Sequence, residues 1–254
     1  MKNDILLFDF DGVYQKQDFY KKNEHEWVFK NRLTGSNAYC DQIASHNIRK
    51  KLKNIYLPNI SFIGSGNYHY ISLFLTEKLT QNFTLVLFDN HSDMQKTVFE
   101  DLLSCGSWLR CAFENEKYLK QIVLVGTSRI SLKTLDARFK EKVTVFPNDI
   151  IFKQNSWYTE LRDVIKYPVY ISVDKDVFCE DVAKTNWDQG QMHMYEFVKA
   201  VEYIIIKHKI IGMDVCGEYL TNYTNPIDFN EANSINNSTN EKILTLNHEI
   251  IEVE

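Results

Sequence analysis

Three residues that could bind a metal follow an apolar stretch near the middle of the chain. Asp89, His91 and Asp93 alternate with single residues directly after Leu85 to Phe88. In an extended segment such alternating side chains project to the same side. Two carboxylates and an imidazole beside a buried strand are costly unless a cation neutralises them, and this donor mixture suits a divalent first-row metal. On its own, the pattern is equally compatible with a polar turn that caps the next helix.

Two further segments repeat this arrangement. Asp174 and Asp176 follow the apolar stretch 169–173, and His69 follows a strand-like stretch and a glycine turn at 64–66. Ligands of open α/β sheets bind at the carboxyl ends of the strands. Four carboxylates alone would repel one another, whereas two divalent cations balance their charge. The three segments therefore predict a two-metal site formed by His69, Asp89, His91, Asp93, Asp174 and Asp176.

The elements that must position these residues alternate between strand-like and helix-like stretches. Apolar runs predict strands over 5–10, 60–64, 85–88, 122–126, 143–146, 169–173 and 210–215. Intervening stretches predict helices over 41–54, 69–81, 97–120, 131–141, 157–166 and 193–208. Strands that read as continuous apolar runs are typical of parallel sheets covered on both faces. We therefore expect one three-layer α/β domain over residues 1–254, built on a doubly wound parallel sheet.

One polar segment is predicted to be a loop. Residues 221–241 are rich in Asn, Thr and Ser and contain Pro226. Such compositions are typical of loops between regular elements. The segment is expected either to line the mouth of the pocket or to be mobile.

Composition excludes several classes of partner. The chain has 254 residues, 44% hydrophobic and 25% charged, with a net charge of −5. This balance gives no electrostatic footprint for nucleic acid, and no apolar run reaches membrane-spanning length. The five cysteines are odd in number and irregularly spaced, which indicates reduced thiols. The N-terminal stretch carries acidic residues, unlike a signal peptide, so we expect a cytoplasmic protein.

The three segments resemble, in the same order, the metal-binding motifs of the arginase/agmatinase (ureohydrolase) family. Residues 66–70, Gly-Asn-Tyr-His-Tyr, are similar to that family's Gly-Gly-Asp-His-Ser. Residues 89–93 resemble its Asp-Ala-His-x-Asp, and residues 172–176 its Ser-x-Asp-x-Asp. The resemblance extends from about residue 60 to about residue 220 and implies the arginase/deacetylase-like fold. It also implies two divalent ions, with manganese expected, and the possibility of a homo-oligomer.

The resemblance assigns a role to each ligand and a reaction to the site. Asp89 and Asp174 would bridge the ions, with His69 and Asp93 completing one ion and His91 and Asp176 the other. Two such cations hold a water between them and lower its pKa, so that the resulting hydroxide attacks an electron-poor carbon. The expected activity is hydrolysis of a linear C–N bond in a small guanidino, amidino or amide compound.

Two candidate catalytic residues and one candidate substrate contact depart from the family pattern. Cys105 occupies the region where the family carries a proton-shuttling His, and a thiol is a poorer proton carrier near neutral pH. Glu218 is shifted by one residue from the family's guanidinium-binding Glu, yet it remains the candidate for binding and catalysis. His193 would either cap the helix that follows or face the substrate.

Two alternatives stay open at this stage. Asp9 and Asp11, within Asp-Phe-Asp-Gly, resemble the first motif of haloacid-dehalogenase-type phosphatases, in which the first Asp is the nucleophile. Such an enzyme would draw on Thr127, Lys140 and the Asp174/Asp176 pair. The other alternative is a non-catalytic, metal-binding regulatory module, which the cysteine at position 105 favours.

Overall fold

The computed structural model describes residues 4–30, 32–97, 102–133, 135–139, 142–151, 153, 156–220 and 226–253. The strands in these ranges are β1 Ile5–Phe8, β2 His25–Phe29, β3 Tyr39–Cys40, β4 Ile60–Gly64, β5 Phe83–Phe88, β6 Leu103–Ser104, β7 Leu119–Val125, β8 Val143–Phe146, β9 Val169–Asp174 and β10 Ile210–Cys216. The α-helices are α1 Gln42–Leu52, α2 Ile71–Thr76, α3 Trp108–Asn115, α4 Arg129–Leu132, α5 Asn148–Ile151, α6 Trp157–Val164, α7 Met194–Ile205 and α8 Pro226–Val253.

Eight strands form one parallel sheet. Their order is β2-β1-β4-β10-β9-β5-β7-β8, and every neighbouring pair runs parallel. The seven predicted strands are all present, and β4, β5 and β9 are buried along their whole length. Of this sheet, the sequence did not reveal β2, His-Glu-Trp-Val-Phe, which lies at the edge and is only partly buried. The short antiparallel pair of β3 and β6 was not predicted either.

Helices cover both faces of the sheet. Alternate side chains of β1 enter different cores: Ile5 and Leu7 belong to the core that also contains residues of α6 and α7, whereas Leu6 belongs to the core that contains residues of α1, α2 and α3. Period-two alternation into two apolar layers requires a helical layer on each side. The predicted three-layer α/β architecture is therefore confirmed.

Four adjacent strands bring the chemistry-bearing segments together. β4, β10, β9 and β5 are neighbours in the sheet, and their parallel pairing places all four carboxyl ends at one edge. The segment with His69 follows β4, the segment with Asp89 follows β5, and Asp174 is the last residue of β9. Strand order alone therefore brings together three segments that lie far apart in the sequence.

Two predicted helices differ most from the structure, although α2, at Ile71–Thr76, is also shorter than the predicted 69–81. Within the described part of 97–120 the chain forms β6, then a turn, and only then α3, because Ser107 N–H donates to the Ser104 carbonyl at 3.2 Å. Gly106 lies in this turn. In the stretch 131–141 the described residues form the end of α4 and a 3₁₀ turn over Ala137–Phe139.

The prediction of a polar loop over 221–241 is wrong for its described part. Residues 221–225 lie outside the described residues, and α8 begins at Pro226 and continues to Val253. Proline is well suited to the first turn of a helix, where no N–H is needed. The amide side chains of this helix bind other segments: Asn236 accepts from Lys184 N–H at 3.0 Å and donates to the Lys184 carbonyl at 2.7 Å. The polar side chains of this helix therefore include some that attach it to the rest of the fold, and polarity here does not indicate a loop.

No helix within the described ranges is both long enough and apolar enough to cross a membrane. The long helix α8 has the length, but polar residues interrupt it throughout.

We predict that Asn236→Ala destabilises the fold. The substitution leaves a backbone N–H and a backbone carbonyl of Lys184 without their partner, which costs about 1–3 kcal/mol of the free energy of unfolding. Urea denaturation measures this loss. The matched control is Ser238→Ala, an exposed position two residues along the same helix, which we expect to leave the midpoint nearly unchanged. Equal midpoints for the two variants would show that the Asn236 contacts do not fasten α8.

Candidate metal centre

His69 lies at the centre of the carboxylate cluster. A glycine with φ +96°, Gly64, ends β4, and the 3₁₀ turn Gly66–Tyr68 carries the chain to His69. The histidine is only 1% exposed. Its Nδ1 lies 2.9 Å from Asp93 Oδ2, 3.4 Å from Asp89 Oδ2 and 3.5 Å from Asp174 Oδ2. Segments from three strand ends thus meet at one imidazole nitrogen.

Asp89 faces two sets of groups at once. Its Oδ2 points towards His69, while its Oδ1 lies 3.5 Å from His91 Nδ1. His91 Nδ1 also lies 2.8 Å from Asp176 Oδ2.

Asp93, which ends the motif, has a left-handed backbone with φ +50°, a strained conformation for this residue type that is characteristic of functional sites.

Two groups of potential metal ligands share the Asp89 carboxylate: His69, Asp89 and Asp93 form one, and Asp89, His91 and Asp176 form the other. A third group consists of His69, Asp174 and Cys216. Within each group the donor atoms lie within 4.8 Å of one another. Asp89 Oδ2 is buried and has no hydrogen-bond partner, which is costly unless a cation binds it. The residues therefore fit divalent cations held by carboxylate oxygens and imidazole nitrogens.

A strong negative field acts on both histidines. Burial lowers the pKa of His69, but the hydrogen bond to Asp93 and the charges of Asp93, Asp174 and Asp89 together raise it to about 10. Burial likewise opposes protonation of His91, whereas its contacts with Asp176 and Asp89 raise the pKa to about 12. Burial, then the charge of Asp176, raises the pKa of Asp89 well above its ordinary value. The same field attracts metal cations.

A hydrogen-bond relay orients His69 through Nε2, the ring nitrogen that faces away from the carboxylates. Its Nε2 lies 3.0 Å from Ser172 Oγ, and that hydroxyl donates to Asp214 Oδ1 at 2.7 Å. Tyr170 OH donates to the other oxygen of Asp214 at 2.8 Å. Because Ser172 uses its proton on Asp214, it accepts from His69 Nε2–H, which leaves Nδ1 directed at the carboxylates.

Asp93 is held by an indole. Trp108 Nε1 donates to Asp93 Oδ2 at 2.6 Å, and its ring centroid lies 5.0 Å from that of His69. Sequence reasoning missed this contact and the role of Asp214. Trp108 lies 15 residues from Asp93, at the start of α3, and no motif spacing points to it. Asp214 was visible as an acid in β10, but only the sheet order shows that it faces Ser172.

Cys105 lies where the sequence placed it, in the wall of the cavity. The cavity has a volume of about 170 Å³ and its floor is formed by the six predicted ligands. Its walls are formed by Ala38, Tyr39, Gln95, Cys105, Gly106 and Trp187, among others. Cys105 N–H donates to the Ala38 carbonyl at 3.0 Å, beside the antiparallel pair of β3 and β6. Burial and the charges of Asp93 and Asp174 raise the pKa of the thiol to about 12.

Glu218 does not face the cavity, and the prediction that it contacts the substrate is corrected. Its side chain is fully buried and forms an ion pair with Lys175 Nζ. The same carboxylate accepts from Gln17 Nε2 at 2.8 Å and from Asn240 Nδ2 at 2.7 Å. Both oxygens are therefore bound by side chains of the protein itself. The one-residue shift after Gly217 turned this carboxylate towards the core.

His193 is also away from the cavity lining, and its predicted substrate contact is corrected. It is the residue before the first turn of α7, where its backbone N–H donates to Glu196 Oε2 at 2.8 Å. Its exposed ring stacks on Tyr195, and its Nδ1 lies 3.4 Å from Cys179 Sγ. The structure thus gives His193 the helix-capping position, which was the other expectation from the sequence.

The phosphatase alternative based on Asp9 and Asp11 is wrong. A nucleophilic aspartate must reach its substrate, whereas Asp9 is fully buried and accepts from Tyr14 N–H at 3.3 Å. Neither aspartate lines the cavity above the ligand groups. Burial and the charge of Asp9 raise the pKa of Asp11 to about 6. Thr127 donates to the Asp89 carbonyl at 3.1 Å, and Lys140 lies outside the described residues.

This fold and this arrangement of ligands define the class of protein. The sequence profile of the Arginase family matches residues 15–224. The chain therefore belongs to the arginase family. A protein of Thermotoga maritima described as uncharacterized is 30% identical over 217 residues, covering 84% of this chain and 79% of that relative.

Solved structures show the same architecture. The agmatine ureohydrolase of Thermoplasma volcanium superposes with a TM-score of 0.66 at 14% identity, over 100% of this chain and 92% of that one. The formiminoglutamase of Trypanosoma cruzi with Mn²⁺ gives a TM-score of 0.62 at 10% identity, covering 97% and 93% of the two chains. At such identities the likeness shows the fold, and it confirms the predicted arginase-like class.

We predict that Ser172→Ala lowers the affinity for Mn²⁺ by about 10–100-fold, because His69 loses the partner that orients it. Isothermal titration with Mn²⁺ measures the change. The matched control is Ser61→Ala, a buried serine of strand β4, which β10 separates from the strand of Ser172, and we expect this variant to bind Mn²⁺ as the wild type does. Unchanged affinity in Ser172→Ala would mean that the relay does not orient the imidazole.

Proposed function

We propose that the protein is a dinuclear metal-dependent hydrolase that cleaves a linear C–N bond of a small guanidino, amidino or amide compound. One observation carries the proposal: Asp89 directs one oxygen towards His69 and the other towards His91, so that two ligand groups share it. A carboxylate shared in this way would help to hold two divalent cations, one in each ligand group, which is the arrangement that two-metal hydrolysis requires.

Manganese is the proposed cation. The donor set of carboxylates and imidazoles accepts several divalent first-row metals. Within the arginase family, the formiminoglutamase cited above was determined with Mn²⁺, and it shares the fold of this chain. These two points support Mn²⁺ at both positions.

The chain's own residues prepare the site for this reaction. When bound, two divalent cations activate a water as a nucleophile at neutral pH and polarise the substrate. Ser172 and Trp108 hold His69 and Asp93 in place, so that little reorganisation is needed during reaction. Cys105 keeps its proton on Sγ and presents a neutral, weak hydrogen-bond donor to the cavity. Trp187 forms another wall, with its ring 6.0 Å from that of His91.

The position of Glu218 bears on the substrate class. The family resemblance implied that a Glu binds the guanidinium group, but here Lys175 already neutralises that carboxylate. A guanidinium group gains affinity chiefly from bidentate contacts with a free carboxylate. An amidinium group is a planar cation of the same kind, so among the three candidate classes we favour neutral amide compounds over guanidino and amidino compounds.

A second candidate function is a metal-binding module without turnover. The observation that favours it is Cys105, a thiol at the cavity wall where the family pattern carries a proton-shuttling His. Such a module would bind both ions and release no product.

We predict that the Mn²⁺-loaded protein releases ammonia or urea from at least one member of a panel of amide, amidino and guanidino compounds. Asp89→Asn should reduce this activity by more than the roughly 10–100-fold that is typical when residues that only support ligands are replaced. Asp163→Asn, at an exposed ion pair with Lys207, is the matched control and should keep full activity. Colorimetric assays of urea and ammonia provide the readout. Tight metal binding without any product would instead support the regulatory module.

We predict that Cys105→His increases the rate on any compound that the wild type hydrolyses. An imidazole titrates near neutral pH and carries protons more readily than a thiol with a raised pKa. Cys105→Ser, which removes the thiol without adding an imidazole, is the control and should show no gain. If Cys105→His is slower than the wild type, the thiol itself contributes to turnover.

A further inference from the structure

Lys175 is a fully buried lysine next to the predicted metal centre. It separates Asp174 from Asp176, two of the predicted ligands, and its side chain is 0% exposed. A lysine is almost never fully buried unless it is paired, because an isolated ammonium is costly away from water. The family pattern leaves this position unspecified, so nothing in the motif accounts for a buried cation beside the metal centre.

A closed network neutralises the ammonium. Lys175 Nζ pairs with Glu218 and also donates to Asn240 Oδ1 at 3.2 Å. Asn240 Nδ2 in turn donates to Glu218 Oε1 at 2.7 Å and to Gln17 Oε1 at 2.8 Å. The network joins the segments that follow β1, β9 and β10 to helix α8. Every polar atom named here is buried and has a partner, the condition under which such networks rigidify a core.

The backbone beside Glu218 packs directly on Asp174. Cys216 Sγ donates to Asp174 Oδ2 at 3.1 Å. A Cβ added to Gly217, which has φ +95°, would come within 2.6 Å of Asp174 Oδ1. Glu218 N–H donates to the Gly64 carbonyl at 3.0 Å, which ties this turn to the strand that leads to His69. The partner of Lys175 is therefore part of the turn that supports Asp174.

We propose that the Lys175–Glu218 pair is a positioning device for the metal centre. Lys175 anchors the short turn that carries Asp174 and Asp176, and Glu218 cancels the ammonium charge that would otherwise repel the cations. The inference rests on the proposed two-metal function, but it concerns metal affinity rather than the reaction.

Removing the carboxylate and removing the amine of this pair have different electrostatic consequences. Glu218→Gln leaves the Lys175 amine without a carboxylate partner one residue away from two ligands, and any positive charge that it keeps there opposes the cations. Lys175→Met keeps the length of the side chain but leaves the Glu218 carboxylate buried and unpaired. We therefore expect Glu218→Gln to weaken Mn²⁺ binding more than Lys175→Met does. Both single variants should destabilise the metal-free protein.

A double variant separates positioning from simple structural support. Replacing both partners by apolar residues, in Lys175→Met/Glu218→Met, removes both buried charges and often leaves stability unchanged or improved. Gln17 and Asn240 lose partners as well, so we expect its metal-free melting temperature to lie above those of both single variants but not above that of the wild type. Its affinity for Mn²⁺ should stay at least about 10-fold weaker than that of the wild type. Melting in chelator and isothermal titration with Mn²⁺ on the full chain supply the two readouts. Glu180→Gln, which breaks the exposed ion pair with Lys184, is the control for loss of a charge pair.

The outcomes are distinct. Weak Mn²⁺ binding together with restored stability in the double variant supports the proposal, and full recovery of affinity overturns it. Where the double variant fails to regain stability, the single variants decide. Glu218→Gln must then bind Mn²⁺ at least about 10-fold more weakly than Lys175→Met, and equal affinities overturn the proposal. A wild type that binds no Mn²⁺ would contradict the proposed function itself, which is distinguishable from failure of this inference alone.

Discussion

Four carboxylates lie within a few ångströms of one another at one edge of a buried sheet, and the rest of the structure depends on how their charge is balanced. Asp89 is the extreme case, since one of its oxygens is buried without any hydrogen-bond partner. Desolvated like charges of this kind persist only with a compensating cation. Strand order, the Ser172–Asp214 relay and the Trp108 contact all serve to keep these charges together at fixed geometry.

Much of this could be predicted from the sequence because the relevant signals are local. Continuous apolar runs ending in acids identified β5 and β9, and Asp-x-His-x-Asp identified a ligand segment without any knowledge of its neighbours. The edge strand β2 was missed, since its Glu and His do not read as a buried run. The helix α8 was mistaken for a loop because its asparagines, such as Asn236 and Asn240, bind other segments of the fold. The composition of a segment shows that it is polar, but not whether its side-chain amides form hydrogen bonds with other parts of the fold.

The direction of Glu218 shows a second limit. A one-residue shift relative to the family pattern could have been absorbed by a bend, and the sequence left that possibility open. The outcome depended on Lys175, Gln17 and Asn240, which lie 43, 201 and 22 residues away along the chain. Such coupling is invisible until the sheet order is known. The consequence is a member of the arginase family whose cavity keeps the predicted metal ligands but has turned its expected guanidinium-binding acid into part of the core.

The most direct test of the central claim is anomalous X-ray diffraction from crystals grown with Mn²⁺. We expect two manganese peaks about 3.5–4 Å apart, one on each side of the Asp89 carboxylate. The first should contact His69 Nδ1 and Asp93, and the second His91 Nδ1 and Asp176. A single peak, or peaks that do not touch Asp89, would contradict the account.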